Sequence, residues 1–288
     1  MVSRFTSNER QRKHGEAHKT PLNFYRSTTK SNSDSPFEKK LKQSKSRVLF
    51  SKTVDLLLIV LAFFALGYIL IIRPQPKVDI DSVTYHPLNY YSDFLSAEFK
   101  DIKNRNKITF DEGQIVAEAK KHFPEISDAA ITLNLFSQTP NVKISVSEPA
   151  FILSSQEADY IVDHEGVAVA KRVELPKLSA LPILLDQTGF NVSLGKQVIS
   201  SDQVKFINQL IAQAKKSKVP ILSMTLPAKA QELDLKTKDH SYYIKFFLGG
   251  DSLAQIGQFL AARHQFEQTG KQPTKYLDVR VSGKIYYQ

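Results

Sequence analysis

The stretch LLLIVLAFFALGYILII at residues 56–72 is an uninterrupted apolar run that divides the chain into two unlike parts. At about 1.5 Å of rise per residue it spans roughly 25 Å as a helix, and Val54 and the flanking turns can supply the rest of a bilayer crossing. A buried core helix normally carries a polar stripe, which this run lacks. The long leader and the absence of a small-residue cleavage site disfavour a signal peptide. The sequence therefore predicts a retained transmembrane helix over residues 54–73, with Leu56, Phe63, Phe64 and Ile72 among its membrane-anchoring residues.

Charge predicts the orientation of this helix. Residues 1–52 carry thirteen Lys and Arg but only four Asp and Glu, so nine of the ten net positive charges of the chain precede the helix. Basic residues close to a span remain on the cytoplasmic side. We therefore expect residues 1–53 to be a disordered cytoplasmic tail and the part after the helix to lie outside the cell membrane.

The same charge count argues against nucleic acid as a partner. The sequence pI of about 9.5 reflects the tail rather than a basic surface of the folded part. A lysine-rich segment beside a span favours anionic lipid headgroups instead. The chain contains no cysteine, which excludes thiol nucleophiles, disulfides and cysteine metal ligands and suggests a bacterial exterior.

Residues 77–149 are predicted to form a small β-α-α-β-β domain. Apolar residues at helical spacing indicate a first helix over 90–103. Asp111 is a suitable N-cap for a second helix over 112–122. Alternating apolar and polar residues over 130–136 and 142–146 indicate two strands.

Residues 150–288 are predicted to form a second α+β domain with a mainly antiparallel sheet and two covering helices. Gly166 supplies the turn of a hairpin, and residues 175–184 are expected to run along an extended edge. Ser201 or Asp202 can cap a helix that continues to Lys216. A last helix follows Asp251 and is expected to bury Leu253, Ile256, Phe259 and Leu260.

The sequence contains no convincing catalytic or metal-binding motif. The histidines lack metal-ligand spacing, and His164 lies in the predicted hairpin turn. Ser193 and Lys196 match the short S-x-x-K pattern of penicillin-binding enzymes, but the K-T-G element of that class is missing, so a loop is the preferred interpretation. We therefore predict no catalytic residues, no metal, no cofactor and no small-molecule substrate.

Several segments taken in order resemble the FtsQ/DivIB family of bacterial division proteins. The segment VKISVSEP at 142–149 resembles the one that ends the POTRA module of that family. YIVDHEGV at 160–167 resembles its hairpin, and LPKL at 175–178 its proline-containing edge. FLG at 247–249 and YLDVR at 276–280 resemble its later signatures. The resemblance covers the chain from about Leu56 onward.

The resemblance implies a scaffold rather than an enzyme. It implies a single-pass protein at the division septum that binds bitopic partners of the FtsB/DivIC and FtsL type and helps to assemble and regulate septal wall synthesis. In the closing strand, Leu277, Val279 and Val281 are expected to face the core. A final sheet edge of this kind can accept a partner strand. The residues predicted to bind partners there are Tyr276, Asp278, Arg280, Val281 and Tyr286.

Two other functions remain open at the level of sequence. A membrane-anchored wall hydrolase or transferase would need a deep cleft with at least two carboxylates of perturbed pKa. A POTRA-like domain could also serve as a docking element for protein export, although no outer-membrane barrel follows it.

Overall fold

The computed structural model of the protein describes residues 45–229 and 231–288. Most of the predicted tail, residues 1–44, lies outside the described residues. The end of that predicted segment is helical, because α1 begins at Lys45 and continues to Leu70. The helix therefore starts well before the predicted residue 54. Its residues 50–70 are long and apolar enough to cross a membrane, which agrees with the predicted anchor.

The predicted anchor residues do not share one environment. Leu56, Phe63 and Phe64 are exposed side chains of α1, as expected of residues that face lipid. Ile72 lies beyond the end of α1 and is only 1% exposed, because it packs into the hydrophobic core of the first folded module. The prediction of Ile72 as a membrane-anchoring residue was therefore wrong. Composition alone could not separate the last apolar residues of the helix from the first residue of the core.

A three-stranded module follows α1 and has the predicted element order. Its sheet has the order β1-β3-β2, in which β3 pairs in parallel with β1 and antiparallel with β2. Asp111 caps α3 by accepting a hydrogen bond from the backbone N–H of Gln114, as predicted. The first predicted helix ends earlier than expected, and a separate 3-10 turn follows it. The elements are β1 (Lys77–Ile80), α2 (Leu88–Glu98), a 3-10 turn (Ile102–Arg105), α3 (Glu112–His122), β2 (Ile126–Thr132) and β3 (Asn141–Val146).

The rest of the chain forms a nine-stranded sheet with the order β12-β11-β10-β9-β8-β7-β4-β5-β6. Five of its strand pairs are antiparallel and three are parallel, so the sheet is mixed. The strands are β4 (Pro149–Ser154), β5 (Asp159–Asp163), β6 (Ala168–Lys171), β7 (Ile183–Asp186), β8 (Ile221–Leu226), β9 (Glu232–Thr237), β10 (Tyr243–Phe247), β11 (Tyr276–Asp278) and β12 (Tyr286–Tyr287).

The predicted extended edge over residues 175–184 was wrong in two respects. Residues 176–178 form a 3-10 turn, because Pro176 fixes φ and starts a tight turn. The strand that follows, β7, is in the middle of the sheet, where it pairs in parallel with both β4 and β8. A short apolar run does not reveal whether a strand is central or at an edge.

Two helices, α4 (Ser201–Lys216) and α5 (Ser252–Thr269), pack on one face of the nine-stranded sheet. Ser200, rather than the predicted Ser201 or Asp202, caps α4 and forms a capping box with Gln203. Asp251 caps α5 as expected. In α5, Ile256 and Phe259 are buried, whereas Leu253 is exposed, because it lies in the first turn on the solvent side.

The opposite face of the sheet is partly covered by the three-stranded module. Ile161 of β5 and Ala170 of β6 belong to the same hydrophobic core as Ile115 of α3 and Ile144 of β3. The two modules are thus joined by a shared core as well as by the chain. The residues of the large sheet that belong to this shared core lie on β5 and β6.

Candidate partner-binding face

Side chains alternate in direction along the strands from β8 to β12, so this end of the sheet has two distinct faces. Leu233, Leu235, Ile244, Phe246 and Leu277 point toward α4 and α5 and are buried in the larger core. Their neighbours in sequence point to the opposite side. Within the described residues, no helix covers this second side, and we call it the open face.

The strand register identifies the residues that share the open face. Asp278 is opposite Tyr286 in β12 and Lys245 in β10, and Lys245 is in turn opposite Asp234 in β9. Asp234 is opposite Thr225 in β8. The face also carries half-exposed apolar side chains, so it is an amphipathic surface that a partner can cover. The open face comprises Ile183, Leu185, Ser223, Thr225, Glu232, Asp234, Lys236, Tyr243, Lys245, Phe247, Tyr276, Asp278, Arg280 and Tyr286.

A connected group of charged side chains lies in this face. The Nζ atom of Lys245 donates to Oε1 of Glu232 at 2.6 Å and lies 3.8 Å from Oδ1 of Asp234. The guanidinium of Arg280 bridges Glu232 and Asp278, with its Nε 2.9 Å from Oδ1 of Asp278. Glu232 is almost fully buried, whereas Arg280 is about one-third exposed. The network therefore joins β9, β10 and β11 and leaves one cationic group accessible to a partner.

The pKa values show which charged forms the network favours. Burial alone raises the pKa of Asp278, but hydrogen bonds from the guanidinium and backbone N–H of Arg280 outweigh burial and lower it. Burial lowers the pKa of Lys245, yet the hydrogen bond to Glu232 and the charge of Asp234 raise it overall. The pKa of Asp234 is raised, chiefly by burial. Asp278 and Lys245 are therefore held as an anion and a cation at neutral pH.

Aromatic rings lie beside this network. The Nζ atom of Lys245 lies 4.9 Å from the centroid of the Tyr243 ring. The Tyr243 and Tyr276 rings, which are opposite each other in the register of β10 and β11, are 6.2 Å apart. Tyrosine and arginine side chains of this kind are enriched at the centres of protein interfaces.

The edge of the sheet differs from the prediction. β11 lies inside the sheet, because β12 pairs with it and forms the edge. Tyr276 and Gln288 exchange backbone hydrogen bonds, so the N–H and C=O groups of Tyr287 point away from β11 in the alternating antiparallel pattern. At this end of the sheet, the strand edge open to pairing is therefore β12 rather than the predicted β11.

The structure brings four of the five predicted partner-binding residues together. Tyr276, Asp278, Arg280 and Tyr286 share the open face, and their role in binding stays a prediction. Val281 lies after β11 and is 46% exposed, so the prediction that it faces the core was wrong. Leu277 and Val279 are completely buried, as predicted.

Sequence analysis missed the residues that complete the face. Glu232, Asp234, Tyr243 and Lys245 were not singled out, although they stand at alternate positions of β9 and β10. Opposite charges at alternate positions of consecutive strands were the available signal, since cross-strand pairs of this kind stabilise a sheet.

Two sequence patterns that could have suggested chemistry lie in ordinary structural settings. Ser193 and Lys196 line a cavity of about 660 Å³, and both belong to an exposed loop, as the preferred interpretation predicted. His164 is an exposed residue of the β5–β6 hairpin turn. Asp163 holds that turn by accepting hydrogen bonds from the backbone N–H groups of Glu165 and Val167. Within the described ranges, no group of three or more His, Cys, Asp or Glu side chains could hold a metal ion.

Comparison with protein families and with curated proteins adds no relative to this picture. No protein-family model matches the chain, and no curated protein matches it. The structure thus defines an α+β protein with mixed sheets and one helix that is long and apolar enough to span a membrane.

Proposed function

We propose that this protein is a membrane-anchored, non-enzymatic scaffold of the bacterial division machinery. The observation that carries the proposal is the open face of the nine-stranded sheet beside its edge strand β12, on a chain with a candidate membrane span. The partners are single-pass division proteins of the FtsB/DivIC and FtsL type, met at the septum outside the membrane. This partner class rests on the family resemblance of the sequence.

Binding combines a strand edge with a charged face. A partner strand pairs with the outward backbone groups of Tyr287, which supplies main-chain hydrogen bonds. Its side chains then extend over Tyr286 and toward Arg280 on the open face. Because one guanidinium there is accessible beside tyrosine rings, an acidic and aromatic partner segment fits this surface best.

A proline at position 287 tests the pairing. Proline removes the outward N–H of Tyr287 and leaves the hydrogen bonds between Gln288 and Tyr276 and the pairing of Tyr286 with Asp278 in place. The Tyr287 ring packs against Phe266 with centroids 5.1 Å apart, so Tyr287→Ala is the matched control for loss of the ring.

In the experiment, the full-length chain is crosslinked to its partners in the membrane and then purified together with them. We expect Tyr287→Pro to lose its short coiled-coil membrane partners and septal localisation, and Tyr287→Ala to retain both. Equal recovery of the same partners by the proline variant contradicts the proposed mode of binding. Hydrolysis or transfer of wall polymer by the purified protein contradicts the scaffold proposal itself.

A further inference from the structure

The end of α1 is held by two loops of the three-stranded module. The first loop begins at the end of the 3-10 turn and spans residues 105–108, and the second loop spans residues 134–138. In the first loop, the N–H of Lys107 donates to the carbonyl of Leu70 at 2.9 Å, and the N–H of Ile72 donates to the carbonyl of Arg105 at 2.8 Å. In the second loop, Nε2 of Gln138 donates to the carbonyl of Tyr68 at 2.8 Å. Both loops are therefore fixed beside the last turn of the helix.

The length of the span places this last turn at the membrane boundary. The segment Phe50–Leu70 contains 21 residues, which at about 1.5 Å per residue gives roughly 31 Å. The hydrocarbon core of a bilayer is about 30 Å thick. Once the helix fills that core, Tyr68 and Leu70 lie at its surface, and the loops bonded to them lie in the headgroup layer.

These two loops expose large apolar side chains. Ile108 directly follows Lys107 and is 74% exposed, while Leu135 and Phe136 shortly precede Gln138 and are 65% and 82% exposed. We call these three residues the collar. Isolated exposed apolar residues are common on protein surfaces. Here, however, three of them lie within a few residues of the hydrogen bonds that hold one helix end, so together they form a patch.

Basic and aromatic side chains accompany the collar. Lys103 and Arg105 are exposed on the 3-10 turn that leads into the first loop, and Tyr68 is exposed on the last turn of α1. Tyrosine is enriched where spans meet the headgroup layer. Lysine and arginine beside an apolar face bind anionic lipid phosphates. The surface around the helix end thus has the chemistry of a membrane-contacting surface.

We propose that the collar inserts into the headgroup layer of the bilayer at the C-terminal end of α1. This inference rests on the membrane anchorage within the proposed function and is independent of any role in division. It adds a second lipid contact to the helix itself and seats the three-stranded module on the membrane surface.

Tryptophan substitution tests the insertion, because the chain contains no tryptophan. The full-length Phe136→Trp variant is reconstituted in vesicles of phosphatidylcholine and phosphatidylglycerol, with and without acyl-chain bromination near the headgroup. We expect bromination to reduce its emission, and the emission maximum to lie at shorter wavelength than in denaturant. Ile108→Trp places the same reporter in the first loop and gives an independent measurement of insertion.

Two control variants separate the possible outcomes. Phe63→Trp lies within the span and reports anchorage, and Phe190→Trp places the reporter at an exposed phenylalanine of the nine-stranded module. Quenching of Phe63→Trp and both collar variants, without quenching of Phe190→Trp, supports the proposal. Quenching of Phe63→Trp alone contradicts insertion of the collar but remains consistent with α1 as a membrane anchor.

The remaining outcomes also decide the question. If Phe63→Trp is not quenched, the anchorage fails and the collar fails with it. If Phe190→Trp is quenched as strongly as Phe136→Trp, the whole protein adsorbs to lipid and the specific collar is overturned.

Discussion

A Cβ atom added to Gly166 would lie 1.9 Å from the carbonyl oxygen of Ile199. Gly166 also has a φ of +82°, a backbone conformation that side chains other than glycine rarely adopt. Two loops of the nine-stranded module meet at this point, because the N–H of Val198 donates to the carbonyl of Gly166. The hairpin glycine that the sequence identified is therefore required both for the turn and for the close approach of the second loop.

Gly166→Ala should destabilise the protein by more than about 2 kcal/mol, because backbone strain and a backbone clash act together. Gly189→Ala is the matched control, since Gly189 has a φ of +79° but open space around it. Its cost should be about 1 kcal/mol, from strain alone. Urea unfolding of the full-length chain in detergent, followed by circular dichroism, measures both. Equal losses contradict the importance of the Ile199 contact.

Ile72→Ala should cost about 2–5 kcal/mol in the free energy of unfolding, as expected for truncation of a buried isoleucine. Its neighbour Ile71 is about half exposed. Ile71→Ala should therefore change the same free energy by less than about 1 kcal/mol. The same unfolding measurement compares the two variants. A larger loss for Ile71→Ala contradicts the assignment of Ile72 to the core.

Lys245→Ala should destabilise the nine-stranded module by about 2–3 kcal/mol, because it leaves the buried Glu232 carboxylate with only Arg280 as its cationic partner. Lys236 is exposed on the neighbouring strand β9. Lys236→Ala should change the free energy of unfolding by no more than about 0.5 kcal/mol. Comparable losses for both variants refute a structural role specific to the network.

Acid should weaken the contact between Asp239 and Arg263. Burial raises the pKa of Asp239, but several hydrogen bonds, first among them the one from Arg263, together with the charge of Arg263 outweigh burial and lower it to about 2, from an ordinary value of 3.8. A lowered carboxyl pKa contributes stability that is present above the ordinary value and is lost as the pH falls through the lowered one. This contribution should therefore disappear between about pH 4 and pH 2.

The variants Asp239→Asn and Arg263→Gln both remove this pair. The difference in unfolding free energy between either variant and the original protein should be constant near neutral pH and should shrink as the pH approaches 2. Urea unfolding at a series of pH values provides the test. A difference that does not depend on pH shows that the pair is not the source of the acid sensitivity.

Single cysteines can test the orientation, since the chain has none of its own. Ser33→Cys lies in the basic tail, and Ser193→Cys lies on an exposed loop of the nine-stranded module. A membrane-impermeant maleimide should label Ser193→Cys in spheroplasts and Ser33→Cys only after lysis. The reverse pattern refutes the predicted topology.

Sequence periodicity predicted the secondary structure well where local signals were strong. Asp111 and α3 were predicted at their observed positions, because a capping side chain and an apolar stripe act within one helix. The predicted hairpin also formed around Gly166. Signals of this kind depend on neighbours in sequence.

The larger errors concern relationships between distant segments. The central position of β7 depends on β4 and β8, and the burial of Ile72 depends on a core that includes residues of other elements. The network around Glu232 likewise joins side chains that are 48 residues apart. Local pattern cannot determine these long-range relationships, and the open face was therefore predicted only in part.

The junction between α1 and the three-stranded module has a mechanical consequence. Hydrogen bonds tie residues 68, 70, 72 and 73 to two loops, and Ile72 is embedded in the core directly beyond the helix. A rotation of the helix about its own axis is therefore transmitted as torque to the folded part. Pairing of α1 with another span inside the bilayer would therefore fix the rotation of the folded part about the helix axis, and with it the direction that the sheet faces.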